Sequence, residues 1–266
     1  MKSTMLVLIA LYLFIFSSET GAYWKDSDWN VGFRPVCDGN PEWAEENGNK
    51  FLRFTLENGR IGGCKSDNQE RHSAPYWERS LVEYDLSEDK YIIRFEARFY
   101  KGFVGEREAF MQIHGYTSGM NCKPLLMFKF GNAEGGINRH TVPYLSMTRH
   151  ADPDVKQADY ATKIGPITKS SIPLSLEPLE TDSNDYELIG KWHGVKLELD
   201  LTSNPGKVSL FWNGKKEIDN MDFINPSCFT PRIDFGIYRP GNDSKNNPNK
   251  TSIFDVDKIQ IQKLND

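Results

Sequence analysis

The chain has 266 residues with 32 basic and 37 acidic side chains, a formal charge of −5, which argues against nucleic acid as the natural partner, because phosphate-binding surfaces are strongly basic. An anionic carbohydrate stays open, since a basic cleft can sit on an acidic body. Beyond the first residues no stretch approaches the about 18 consecutive apolar residues of a spanning helix, so no membrane partner is expected.

Taken in order, Lys2, the apolar run 5–16 and the small residues Thr20-Gly21-Ala22 form a secretory signal pattern over residues 1–22. The mature chain, residues 23–266, is then a secreted extracellular protein, and its length suits one large all-β domain. Four cysteines, Cys37, Cys64, Cys122 and Cys228, form an even set in an oxidising compartment, so two disulfides are expected with three possible connectivities. Pairing Cys37 with Cys64 and Cys122 with Cys228 is preferred, because the second bridge joins the ends of two strands singled out below. The absence of any Cys-x-x-Cys spacing argues against zinc.

Residues 23–50 mix Trp24, Trp29 and Trp43 with turn formers and read as irregular. Short segments rich in β-branched and aromatic residues then predict strands at 50–57, 80–85, 91–100, 109–115, 124–131, 194–201, 207–212, 232–239 and 252–262. Asn213-Gly214 is a tight-turn signal, and apolar residues at 195, 197, 199 and 201 alternate cleanly. The middle, 132–190, holds the strand-breaking Gly135-Gly136, Pro143, Pro153, Pro166, Pro173 and Pro178, and reads as long binding loops that conceal short strands. Asn242 and Asn249 begin glycosylation sequons in a loop rich in Pro, Gly and Asn. Antiparallel strands in this number with loop-rich ends predict a two-sheet antiparallel β-jelly roll, a concanavalin-like sandwich with long loops over a concave cleft. A monomer is expected.

The stretch Phe110-Met111-Gln112-Ile113-His114-Gly115 carries a polar pair on an apolar strand. Alternation points Gln112 and His114 to one face and Met111 and Ile113 to the other. In Ile233-Asp234-Phe235-Gly236-Ile237-Tyr238-Arg239, Tyr238 shares a face with Asp234 and Gly236, and in the strand at 79–83, Arg79, Leu81 and Glu83 share another. A guanidinium, an amide, an imidazole and a phenol on one sheet suit β-elimination on a uronic acid. Hydrogen bonds and positive charge from Arg79, Gln112 and His114 would neutralise the carboxylate and stabilise the enolate-like charge. A phenol whose pKa is lowered by nearby cations can take the C5 proton and then protonate the leaving O4, and Tyr238 is the candidate, with His114 or His72 as the other possible base. His72, Lys129, Arg139, His140 and Arg239 are the candidate substrate-binding residues. This chemistry requires no cofactor. The architecture admits a structural calcium ion, although no dense carboxylate loop calls for one.

These segments resemble the jelly-roll polysaccharide lyases, the group that contains heparin lyase I-like, glucuronan and one class of alginate lyases. Those families carry an Arg-Ser/Thr-Glu-Leu strand, a Gln-x-His strand and a late strand ending Lys-x-Gly-x-Tyr; the matching segments are Arg79-Ser80-Leu81, Gln112-Ile113-His114-Gly115 and Asp234-Phe235-Gly236-Ile237-Tyr238-Arg239. Similarity extends to Lys191-Trp192-His193, to the segment 210–214 and to the strand 252–257, so it spans roughly residues 75 to 262. The resemblance implies a secreted enzyme acting on an anionic, uronate-containing polysaccharide, with Gln112 and His114 lining the neutralising site and Tyr238 as base and acid. Leu81 stands where the family has Glu, and Asp234 where it has Lys. An aspartate in place of that cation would raise a nearby phenol's pKa rather than lower it.

Two rival readings use the same scaffold. A retaining glycosidase would need paired carboxylates about 5 Å apart, drawn from Glu83, Asp85 and Glu88, although Glu88 falls in a turn. A non-catalytic, lectin-like carbohydrate-binding protein would use the same sheet and tryptophans without chemistry.

Overall fold

The computed structural model describes residues 24–36, 41–57, 77–100, 109–117, 120–121, 125–131, 144–149, 171–173, 190–223, 230–240 and 251–264. Every regular element in them is a strand: β1 (Arg34–Pro35), β2 (Glu42–Glu46), β3 (Asn49–Leu56), β4 (Trp77–Asp85), β5 (Lys90–Phe99), β6 (Ala109–Thr117), β7 (Met120–Asn121), β8 (Leu126–Gly131), β9 (Tyr144–Arg149), β10 (Ser171–Pro173), β11 (Trp192–Asp200), β12 (Gly206–Trp212), β13 (Lys215–Phe223), β14 (Thr230–Pro240) and β15 (Ser252–Leu264). They form two antiparallel sheets, as expected of a jelly-roll sandwich. The front sheet runs β1-β4-β14-β6-β8-β9-β10, with β7 beside β6, and the back sheet runs β13-β12-β11-β5-β15-β3-β2.

The sandwich follows from period-2 patterning, in which one face of each sheet is apolar and must be covered by the other. From the back sheet Phe54, Phe95, Phe99 and Phe254 meet Phe110, Phe128 and Phe235 of the front sheet in one buried cluster. The rings lie edge to face at short range: Phe95 to Phe235 at 4.9 Å and Phe99 to Phe110 at 5.1 Å between centroids. Such pairs add to the area term because the positive ring edge meets the negative ring face.

The expected strands recur with shifted ends, and the loop region 132–190 does contain short strands, β9 and β10. Residues 24–36 form a strap from one sheet to the other. Asn30 exchanges two hydrogen bonds with the Ile261 backbone, both 2.9 Å, Trp29 Nε1 donates to Asp257 Oδ1 at 3.3 Å, and the Val36 amide donates to the Leu81 carbonyl at 3.0 Å. On the outer face of the back sheet Asp255, fully buried, accepts from Arg53 Nε at 2.8 Å, from Arg98 Nη2 at 2.9 Å and from the Tyr100 hydroxyl at 2.7 Å. Burial first, and then the bond to Asp255, push the Tyr100 phenol up to about 12.

One assignment made from sequence is corrected. Arg239 does not face the presumed cleft. It is buried between the sheets, where its Nε donates to Glu78 Oε2 at 2.6 Å and its Nη1 donates to Ser252 Oγ at 2.7 Å. The reason is the pleat: Arg239 follows Tyr238 directly, so the two side chains leave opposite faces of β14. The signal segment, all four cysteines, the sequon asparagines Asn242 and Asn249, His72, Arg139 and His140 lie outside the described residues.

Candidate functional site

Three adjacent strands of the front sheet build the site. β14 lies between β4 and β6, and the registers fix which side chains are neighbours. Tyr238 pairs with Arg79 on one side and Ala109 on the other, Asp234 with Glu83 and Gln112, and Arg232 with Asp85 and His114. Val82, Phe235, Ile233, Ile237, Met111 and Ile113 point into the core. By alternation Arg79, Leu81, Glu83, Arg232, Asp234, Tyr238, Gln112 and His114 therefore occupy the opposite face. The sheet thus brings Arg79, Gln112, His114 and Tyr238 onto one surface. Lys129 of β8 is opposite Ala109 in the ladder.

Gly236 shapes this surface. It adopts φ +129°, and a Cβ there would come within 2.1 Å of the Ser80 carbonyl oxygen. Only glycine tolerates both the dihedral and the approach. The β14–β6 register slips between Phe235 and Tyr238, and such irregularities re-aim a side chain next to functional sites. Tyr238 emerges just past that slip, half-buried, with the Arg79 guanidinium 5.1 Å from its ring centroid. A cation over an aromatic face is attracted by the ring quadrupole, which holds the two side chains together.

Two rungs away a chain of charges crosses the sheet. Arg34 donates to both carboxylate oxygens of Asp85, at 2.7 and 2.6 Å, and through Nε to Glu83 Oε1 at 2.7 Å. Arg232 Nη1 lies 2.8 Å from Glu83 Oε2, and Arg232 Nε lies 3.1 Å from Asp234 Oδ1. Gln112 Nε2 donates to Asp234 Oδ2 at 2.6 Å. Asp234 is fully buried, and its pKa is pushed up to about 7. Burial is the largest cause; Glu83 adds to it, while Arg232, the Gln112 hydrogen bond and Arg79 oppose it. A carboxylate withdrawn from water loses hydration that neighbouring cations only partly replace.

This network was not legible in the sequence, apart from the Arg232/Asp234 alternation that puts both on one face of β14. Its members also bear on the glycosidase reading. Glu83 and Asp85 do share a face, but Arg34 and Arg232 engage them, and Glu88 lies beyond the end of β4 in the segment leading to β5. Among the described residues no group of three or more His, Cys, Asp or Glu is arranged to hold a metal ion.

No protein-family profile matches the chain. No curated protein matches it either. Solved structures do. An alginate lyase of polysaccharide lyase family 7, A1-II′, superposes with a TM-score of 0.51 at 13% identity, covering 84% of this chain and 83% of that one. A second, alginate lyase AlyC3, also gives 0.51 at 13% identity, covering 87% and 89%. The A1-II′ enzyme has additionally been solved in complex with substrate. At this identity the likeness establishes a shared jelly-roll fold over most of both chains.

Proposed function

We propose that this chain is a secreted polysaccharide lyase that cleaves a uronate-containing anionic polysaccharide by β-elimination. The observation that carries the reading is the cross-strand pairing of Tyr238 with Arg79 on the same sheet face as Gln112 and His114. The shared fold with alginate lyases supports it.

In this reading Arg79, Gln112 and His114 hydrogen-bond the uronate carboxylate, which stabilises the negative charge that develops when the C5 proton leaves. Tyr238, as phenolate beside the Arg79 cation, takes that proton; the electron pair forms the C4–C5 double bond as the C4–O4 bond breaks. The phenol then returns its proton to the departing O4. Water is not consumed and no cofactor is involved, so the products are a new reducing end on one fragment and a 4,5-unsaturated uronate on the other. Lys129, His72, Arg139 and His140 are proposed contacts to further sugars of the polymer.

The test is incubation with glucuronan, alginate and sulfated uronate polymers, following the ultraviolet absorbance of the conjugated double bond. Rising absorbance supports elimination, and no signal with any uronate polymer refutes it. One observation favours a second reading, a lectin-like binding protein: the Gln112 amide is already engaged by a buried carboxylate where the lyases carry a lysine. Binding of a uronate polymer without any absorbance change would select that reading.

A further inference from the structure

On the outer face of the front sheet the Gln112 amide that the lyase reading turns toward the uronate is held by Asp234. Gln112 is 4% exposed and spends its Nε2 on Asp234 Oδ2, while its Oε1, also buried, accepts no hydrogen bond among the described residues. A buried amide oxygen without a donor is costly. Moreover, the end of the amide that Asp234 does not hold is an acceptor, which repels a carboxylate, where a uronate requires a donor. We propose that Asp234 is a specificity-determining residue that sets which end of the Gln112 amide meets the ligand, so that an anionic sugar binds together with one proton; this rests on the lyase reading above.

The exchange is balanced in protons and breaks no other bond. Asp234 takes a proton from solvent at Oδ2 and becomes a donor. The Gln112 amide makes a half-turn about its last torsion, Oε1 accepts from the new Asp234 hydroxyl, and Nε2 is released to donate to a uronate oxygen. An amide's two ends are nearly identical in shape, so the turn needs no repacking. Arg232 is not stranded, because it retains Glu83 at 2.8 Å.

The groups facing Asp234 favour such a proton at working pH. From β4, Glu83 faces it directly and Arg79 more remotely; from β6, Gln112 faces it, with His114 one rung on; on its own strand Arg232 lies beside it, with Tyr238 four residues further on; and Arg34 of β1 acts through Glu83. Full burial and Glu83 outweigh the cations, which leaves the carboxyl titrating near neutrality, at about 7. Ionised Asp234 thus gives a site suited to a sugar hydroxyl, and neutral Asp234 a site suited to a carboxylate.

The experiment uses the full chain carrying Tyr238→Phe, which prevents turnover. It is titrated calorimetrically with tetrasaccharides of glucuronate, mannuronate and guluronate, and with cellotetraose as a neutral probe, in buffers of differing ionisation enthalpy. Since the ligand selects the protonated fraction, affinity for the oligouronate that binds should fall about tenfold between pH 6 and pH 8, with about one proton taken up per ligand at pH 8. Adding Asp234→Asn, whose amide can donate to Gln112 Oε1 at any pH, should abolish both the pH dependence and the proton uptake. A contribution from His114 would survive that substitution. Equal affinity at both pH values, absence of proton uptake, or an unchanged pH dependence in Asp234→Asn overturns the inference while leaving the lyase reading intact. Failure of every oligouronate to bind at either pH overturns both. Should Asp234→Asn fail to fold, the side-chain amide resonances of Gln112 in the ligand-free chain decide. They should shift with a midpoint near pH 7, and a flat response overturns the proposal.

Discussion

Replacing Asp234 by Asn should stabilise the protein, and more so as the pH rises. Its carboxyl titrates at about 7 against an ordinary 3.8, chiefly because the group is fully buried. A carboxyl whose folded pKa is raised contributes stability that is fully present below its unfolded value, near pH 4, and is lost as the pH climbs through its folded value. A gap of roughly three pH units, at about 1.4 kcal/mol each, means that ionised Asp234 costs the folded state about 4 kcal/mol at alkaline pH. At pH 5 about 1.5 kcal/mol of that cost is already present, so the advantage of Asp234→Asn should grow by about 2–3 kcal/mol between pH 5 and pH 8. Urea unfolding of both proteins at the two pH values reads the difference directly. A constant offset between them, or a variant that loses stability as the pH rises, would refute the reasoning that burial governs this group.

Other consequences follow from the same contacts. Gly236→Ala meets the Ser80 carbonyl oxygen and an unfavourable φ, so it should cost about 3 kcal/mol or more in urea unfolding and, if folded, misdirect Tyr238. Glu78→Gln removes the buried charge that lies 2.6 Å from Arg239 Nε; a loss of about 3–5 kcal/mol in urea unfolding is expected, and a neutral outcome would contradict it. Asp255→Asn removes the charge shared by Arg53 and Arg98; it should cost about 3–5 kcal/mol and lower the midpoint of thermal unfolding accordingly.

Much of this architecture was readable from alternation alone. The strands around Phe95, Gln112, Leu197 and Phe235 carry one apolar and one polar face, and their registers follow once the apolar faces meet. The same rule turns Arg239 into the core, since Tyr238 takes the opposite face. β13 escaped because only Ile218 and Phe223 of its nine residues are buried, too sparse a pattern to announce a strand. β2 escaped as a largely exposed edge strand between turn formers. The charge network was hidden for a different reason: Arg34 meets Glu83 across 49 residues of chain and Gln112 meets Asp234 across 122, and such pairings exist only after the sheet has formed. Gly236 was visible as a motif letter, but its physical demand, the approach of the Ser80 carbonyl, is a property of the paired strands.

The central claim is that Tyr238 moves the proton at a uronate C5, and its most direct test compares the wild-type chain with Tyr238→Phe. Loss of one phenolic hydroxyl from a half-buried position should leave thermal stability within about 1 kcal/mol. Elimination on the responsive uronate polymer, followed by the absorbance of the unsaturated product, should fall by about 100-fold or more, as expected when a general acid–base group is removed, while binding of the same oligosaccharide persists. Tyr238→Phe turning over the polymer at the wild-type rate would contradict the account.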